Sequence, residues 1–200
     1  MVRAGFLLAL SATLVTASWL RLEEQSLPWK EVLPMLALAL IPALAAQLTR
    51  SRVGIAAALV GTTLFAASAA FEVPLSDARP RDPQHDFFGP VLHGISQGFL
   101  DFYDAELPFN RLDFQLMHGV VLLAVFGFVA LIGVFLVRRE PVAASLTLVV
   151  AVGWPATLSP GGSPLRLGAF ALLGVLAILF LLRGEARPLR GLAQGAAIGG

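Results

Sequence analysis

The stretch that decides the fold is FQLMHGVVLLAVFGFVALIGVFLV, which runs from Phe114 to Val137. It contains no Asp, Glu, Lys or Arg, and it exceeds the roughly 20 apolar residues that a helix needs to cross a bilayer. Because the bilayer core offers no water to backbone polar groups, a spanning segment of this kind has to be an α-helix. The sequence therefore predicts a transmembrane helix here, with one histidine, His118, near its start.

Five further apolar runs flank this stretch, and none carries a charge in its central part. They are Ala4–Leu20, Val32–Leu48, Val53–Phe71, Val142–Leu158 and Leu165–Leu182. The 200-residue chain is 57% hydrophobic and 14% charged, whereas soluble domains average about 45–50% apolar and roughly 25% charged residues. The sequence thus predicts an all-α, polytopic membrane helical bundle of six spans over residues 1–182.

The distribution of charges predicts the orientation of this bundle. If the N-terminus is cytoplasmic, the inner segments hold eight bases and two acids, and the outer segments hold six bases and eleven acids. Short cytoplasmic loops are enriched in Arg and Lys, so we expect a multi-pass protein of the plasma (inner) membrane with the lipid bilayer as its partner. The topology determinants are Arg50, Arg52, Arg138, Arg139, Arg183, Arg187 and Arg190.

The two ends of the chain allow further interpretations. The first segment, MVRAGFLLALSATLVTASWL, has the basic start and apolar run of a signal peptide, but the run is long and no clean A-x-A site follows. We interpret it as the first span, with cleavage as the alternative. After the sixth run we expect a cytoplasmic basic linker at 183–190 and, in the apolar stretch 191–200, the start of a further span cut short.

The long outer loop, residues 72–113, contains a helical pattern. From about 86 to 104, apolar residues recur three or four apart, which indicates an amphipathic helix that is too polar to span. We expect this helix to lie in the outer membrane interface, with its apolar side facing lipid or the bundle and with Gln97 and Asp101 on the opposite side. The residues assigned to the apolar side are Phe88, Ile95, Phe99 and Phe102.

The sequence shows no pattern of a catalytic or cofactor site. There is no cysteine, and the spacing of His85, His93 and His118 matches no metal-ligand motif with a known mechanism. Nucleotide-binding glycine motifs and a G-x-S-x-G nucleophile elbow are also absent. No basic patch indicates nucleic-acid binding. We therefore predict no catalytic residue, no metal and no cofactor in this chain, and we interpret the spans as a scaffold.

Three motifs occur in order along the second half of the chain. They are GFLDFYDAELPFN from Gly98, MHGVVLLAVFGFVALI from Met117 and GWPATLSPGG from Gly153. Together they resemble the N-terminal membrane region of actinobacterial, TgpA-type transglutaminase-like proteins over most of residues 87–182. The resemblance implies a helical bundle followed by an extracytoplasmic transglutaminase-like domain with a Cys-His-Asp triad, and a role in the cell envelope.

The chain departs from that family pattern because it has no cysteine, and none of its histidines can be matched to the family's triad. Two hypotheses follow. The first is a non-catalytic membrane anchor that seats an extracytoplasmic catalytic domain absent from this chain. The alternative is a small permease or transporter component with no enzymatic role.

Overall fold

The structure is a computed structural model that describes residues 2–24, 28–49, 51–75, 88–158 and 164–183. Within these residues the fold is all helical and has seven α-helices. They are α1 (Val2–Trp19), α2 (Trp29–Leu48), α3 (Arg52–Phe71), α4 (Phe88–Asp104), α5 (Gln115–Val137), α6 (Pro141–Leu158) and α7 (Pro164–Arg183). A short 3-10 turn, Leu20–Leu22, extends α1. The prediction of an all-α fold is confirmed.

Five of these helices are long and apolar enough to cross a membrane, namely α1 with its 3-10 turn, α2, α3, α5 and α6. The sixth predicted span corresponds to α7, whose described apolar part, Arg166–Leu182, is shorter. The bounds of all six helices agree with the apolar runs to within a few residues. Several apolar helices identify a membrane protein, as the sequence predicts, whereas the exact number of spans stays a prediction.

Helix α5 is the centre of the bundle, and it packs against α1, α2, α3, α4 and α6. Of the residues in its most apolar part, 61% are buried inside the protein, compared with 22–44% for the other four apolar helices. Its buried side chains include Val121, Val125, Val129 and Ile132. At Gly133, where a Cβ would lie 3.0 Å from the Cβ of Ala43, the backbone of α5 comes close to α2. The stretch that decides the fold is thus also its core.

The bundle has two ends of different chemistry. At the end that we call the histidine end, α1 finishes, α2 begins, α3 finishes and α5 begins, around His118. At the opposite arginine end, α1 begins and α2, α5 and α7 finish, around Arg3, Arg138 and Arg139. The indole Nε1 of Trp19 donates a buried 2.9 Å hydrogen bond to the carbonyl of Ala151, which ties α1 to α6.

Helix α4 is attached to the histidine end through its glycines. It packs on α5 and α3, and its buried residues are Val91, Gly94 and Gly98. A Cβ on Gly98 would lie 2.5 Å from the carbonyl oxygen of Leu116 in α5, and one on Gly94 would lie 2.7 Å from the ring of Phe71. The glycines lower the helix propensity of α4 by about 1 kcal/mol each relative to alanine, and in return they allow this close approach of two backbones.

The turn between α5 and α6 adopts a conformation that arginine seldom takes. Arg139 has φ 59°, the left-handed region, where a Cβ is unfavourable and glycine is usual. The amides of Glu140 and Arg139 donate to the carbonyls of Phe135 (2.9 Å) and Leu136 (3.2 Å), which is the hydrogen-bond pattern that commonly closes a helix C-terminus. An arginine therefore occupies the strained position of this turn at the arginine end.

Candidate functional site at the histidine end

The histidine end contains a cluster of four ionisable residues. The Nδ1 atom of His118 lies 2.7 Å from Oε1 of Glu23, and its Nε2 atom lies 2.5 Å from Oε2 of Glu31. Arg111 Nη1 lies 3.8 Å from Oε1 of the same Glu31. The cluster therefore joins the start of α5 to the segment after α1, to the first turn of α2 and to the connection between α4 and α5.

Backbone hydrogen bonds hold Glu23 in this cluster. The amide of Phe109 donates to the carbonyl of Leu22 at 2.8 Å, and the amide of Glu24 donates to the carbonyl of Phe109 at 2.9 Å. These two bonds form a one-residue parallel bridge between Glu23 and Phe109. The ring of Phe109 is buried and lies edge-on to the rings of Phe102 and Phe114, with centroids 6.5 Å and 6.3 Å away. The cluster is thus anchored by main-chain and aromatic contacts.

The geometry restricts the protonation of the cluster. A neutral imidazole has only one N–H, yet both ring nitrogens of His118 face a carboxylate oxygen. Either the ring is an imidazolium that donates to both glutamates, or one carboxyl group carries a proton and donates to the ring. Glu23 has a side chain that is only 1% exposed, and its Oε2 has no hydrogen-bond partner among the described residues. If the ring is the imidazolium, the buried carboxylate of Glu23 depends on His118 for its compensating charge.

A pocket of about 250 Å³ adjoins the cluster. Glu31, Arg111 and His118 line one part of it, together with Glu72 and Gln115. These side chains can hydrogen-bond water or a small polar molecule, but the chain has no cysteine for a thiolate nucleophile. Among the described residues, no group of three His, Asp or Glu side chains is arranged to hold a metal ion. The contacts of the cluster hold the segments that carry it together.

The residues predicted for the apolar side of the loop helix lie on α4, and their surroundings can now be stated. Phe88 and Phe99 are 52% and 42% exposed on the protein surface, whereas Ile95 and Phe102 are half-buried. The ring of Phe99 also contacts the ring of Trp154 at the end of α6, with centroids 6.4 Å apart. The protein itself therefore covers the glycine side of α4 more completely than the phenylalanine side. Whether lipid covers the phenylalanines stays a prediction, and residues 86 and 87 of the predicted helix lie outside the described residues.

The predicted topology determinants fall into two groups. Arg52 begins α3, Arg138 and Arg139 follow α5, and Arg183 ends α7. Arg138 and Arg139 line one cleft together with Arg3 from the start of α1 and Leu182 from the end of α7, so these arginines are brought to one end of the bundle. The remaining determinants, Arg50, Arg187 and Arg190, lie outside the described residues, as do the predicted linker beyond Arg183 and the stretch 191–200.

Sequence reasoning missed the cluster around His118. The sequence places His118 near the start of a span and Glu23 and Glu31 in the first outer segment, but no spacing rule connects residues that are so far apart in the chain. The signal that could have found them is their common depth. Each lies within a few residues of a span end on the same predicted side, where a polar group in one helix needs a partner in another.

No protein-family model, curated protein or solved structure matches this chain.

Proposed function

We propose that this chain is the non-catalytic membrane-anchor region of a transglutaminase-like cell-envelope protein, and that its histidine end seats an extracytoplasmic catalytic domain. The observation that carries the proposal is that the histidine end is a built platform. Helix α4 is docked through Gly94 and Gly98, the segment after it is bound by the bridge between Glu23 and Phe109, and His118 joins three segments. Segments bonded to one another in this way could hold a seated domain in a fixed orientation.

The proposal includes an orientation. We propose six spans in the plasma (inner) membrane, with α7 as the sixth, the N-terminus in the cytoplasm and the histidine end outside. The clustering of arginines at the opposite end supports this orientation, because basic residues favour the cytoplasmic side. Trp19, Trp29 and Trp154 all lie at the histidine ends of their helices, where amphipathic indole rings suit the headgroup region.

The proposal also places α4 in the outer interface. Its surface divides into three sides: a glycine side packed on α5 and α3, an exposed apolar side, and a polar side. The polar side includes His93, which is exposed, and the predicted Gln97 and Asp101, which are half-buried and hydrogen-bonded to each other. The exposed apolar side consists of Phe88, Leu92, Phe99 and Tyr103, which follow one another at helical spacing next to the glycine side. Burying one large apolar side chain is worth about 1.5–3 kcal/mol, so lipid contact along this side would stabilise the helix in the interface.

The interior of the bundle supports an anchor over the alternative of a permease or transporter component. From Gly119 to Val137, α5 has no polar side chain, and its buried residues fill the centre of the bundle. Transport paths ordinarily require ionisable or polar residues at membrane depth. Between the pockets at the two ends, around His118 and around Arg138, the buried polar side chains of the described helices are hydroxyls that do not ionise, namely Ser11, Thr16, Ser18, Thr62 and Ser145.

The proposal can be tested by photocrosslinking in the source cell. A photoreactive amino acid at Tyr103 or Leu112, which are 88% and 66% exposed at the histidine end, should form a covalent product with a polypeptide that contains a transglutaminase-like Cys-His-Asp domain. The matched control is Phe180, which is 82% exposed on α7 and should react with lipid alone. Products with lipid alone at all three positions would refute the seated domain. Solute flux through proteoliposomes of the pure chain would establish the permease instead.

A further inference from the structure

The arginine end contains a cleft of about 490 Å³ that the anchor function does not use. It lies between the start of α1 and the ends of α2, α5 and α7. Its polar lining consists of Arg3, Gln47, Thr49, Arg138 and Arg139, and its apolar walls include Ala4, Ala46, Leu136 and Leu182. Among the described residues, no acidic side chain lines the cleft. The nearest acid in the sequence, Glu140, is exposed in the turn that follows α5.

The charges of the cleft favour an anion. Arg3 and Arg138 form no ion pair with a described residue. The C-termini of α2, α5 and α7 oppose an anion here, since each helix end carries about half a negative elementary charge, while the N-terminus of α1 contributes about half a positive one. The two full charges of Arg3 and Arg138 alone exceed this net of about one negative charge. The arginines therefore do more than neutralise the carbonyls at the helix ends.

Guanidinium groups select among anions. Arginine presents a planar fork of N–H donors that matches two oxygens of a phosphate group, and it binds phosphate more specifically than lysine does. The described lining of the cleft contains three arginines. The amide of Gln47 and the hydroxyl of Thr49 add neutral donors at the same opening. This donor set, over apolar walls, fits the phosphate of a ligand that also has an apolar part.

The strained turn after α5 is an independent observation. Arg139 adopts a left-handed backbone conformation at the rim of the cleft, although glycine would close this helix end without strain. Strained backbone positions occur preferentially at binding sites, where the side chain is needed at that place. The turn thus places Arg139 at the rim of the cleft.

We propose that this cleft binds a phosphate group, and that the phosphate belongs to the headgroup of an anionic phospholipid. The cleft lies at one end of a bundle of membrane helices, where headgroups are at the same depth, and basic pockets between transmembrane helices bind such headgroups. The apolar walls would then contact the glycerol and upper acyl chains. The inference is independent of what is seated at the histidine end.

The experiment measures lipid binding to the purified full chain in detergent. The probes are short-chain phosphatidylglycerol, short-chain phosphatidylcholine and inorganic phosphate, and binding is read by native mass spectrometry and by the lipid-induced shift in thermal unfolding. The test variant is R3Q/R138Q. The matched control is R52Q, because Arg52 is exposed at the same end but does not line the cleft. A second variant, R3K/R138K, keeps both charges and removes both planar forks.

We expect phosphatidylglycerol to bind the natural chain at least tenfold more tightly than phosphatidylcholine, R3Q/R138Q to lose at least tenfold in affinity, and R52Q to lose less than twofold. The affinity of R3K/R138K for phosphatidylglycerol should lie between those of the natural chain and R3Q/R138Q. This variant decides the question if R3Q/R138Q does not fold. Equal losses of affinity in R52Q and R3Q/R138Q would overturn the assignment of the cleft as the binding site, because diffuse surface charge would then explain the binding. If inorganic phosphate binds as tightly as the lipid and displaces it, the lipid source is overturned and a soluble phosphate is the ligand.

Discussion

The α-carbon of Gly98 in α4 faces the main-chain carbonyl of Leu116 in α5 so closely that a Cβ at Gly98 would lie 2.5 Å from the carbonyl oxygen. Such a contact cannot be relieved by a rotamer change, because the opposing atoms are backbone. The same helix has Gly89, where a Cβ would have nothing within 4 Å. At Gly98 a side chain would therefore clash with the backbone of α5, whereas at Gly89 it would meet no neighbouring atom.

This pair gives a direct test of how α4 is docked. Gly98→Ala should destabilise the protein, since overpacking costs about 1–3 kcal/mol and exceeds the gain of about 1 kcal/mol in helix propensity. Gly89→Ala should cost less than Gly98→Ala, because a Cβ there has nothing within 4 Å and the only opposing effect is that a residue with a Cβ before Pro90 disfavours the helical conformation. Thermal unfolding in detergent measures both. If the two variants have the same stability, α4 is not held by the close contact with α5.

A second prediction concerns His118. Replacing it with alanine leaves the buried carboxylate of Glu23 without a partner, and breaking a buried charge pair from one side typically costs about 3–5 kcal/mol. The double variant Glu23→Gln/His118→Ala should recover much of this loss, since no charge then stays buried. Arg111→Ala is the control, because its 3.8 Å contact with Glu31 is partly exposed and is worth about 0–1 kcal/mol. An H118A variant as stable as R111A would contradict the inferred role of the cluster.

A third prediction concerns the orientation of the bundle. The chain has no cysteine, so single cysteines at Ser51, at the arginine end, and Asp113, at the histidine end, can be labelled specifically. Both positions are exposed. In intact cells, an impermeant thiol reagent should label only the cysteine at Asp113, and permeabilised cells serve as the control for reactivity at Ser51. Labelling of Ser51 alone in intact cells would invert the topology.

A fourth prediction concerns the environment of α4. A spin label at Phe99, on the exposed apolar side, should be relaxed by oxygen, which partitions into lipid, more than by a water-soluble nickel complex. A label at His93, which is exposed on the polar side, should show the reverse. Equal responses at both positions would mean that α4 is surrounded by water and does not lie in the interface.

A fifth prediction concerns activity. The pure chain should show no transglutaminase or cysteine-peptidase turnover, because it has no thiol that could act as nucleophile. The measurement is amine incorporation into a glutamine-containing peptide, with and without a thiol-directed inhibitor. Turnover that the inhibitor blocks would show that the preparation contains another enzyme or that the assignment is wrong.

The sequence predicts the spans more completely than it predicts the packing of α4. The spans could be predicted because hydropathy responds to segment length, and Phe114–Val137 matches α5 almost residue for residue. For α4 the sequence predicts the helical spacing of the apolar residues, but not which side of the helix packs on the bundle. Lipid tails are as apolar as a protein core, so the spacing of Phe88, Ile95 and Phe99 cannot distinguish the two. In membranes it is small residues that permit helices to approach closely, and Gly94 and Gly98 do so here.

The site was less predictable than the fold. His118 stands out in the sequence as a polar residue near the end of an apolar run, but its partners lie in a different segment of the chain. Identifying them requires knowing that the start of α5 lies beside the end of α1 and the start of α2. That adjacency follows from packing among helices with nearly uniform apolar surfaces, which no single-sequence pattern specifies.

The central position of α5 has a consequence for how the protein is made. Translation delivers α1, α2, α3 and α4 to the membrane before α5 leaves the ribosome, yet all four pack against α5. Until then, Gly98 has no partner backbone, and Glu23 has no imidazole beside it. Helices α2 and α3 can pack on each other earlier, but all four early helices gain their central contact only when α5 is inserted, and the contacts of α1 with α6 and α7 form later still.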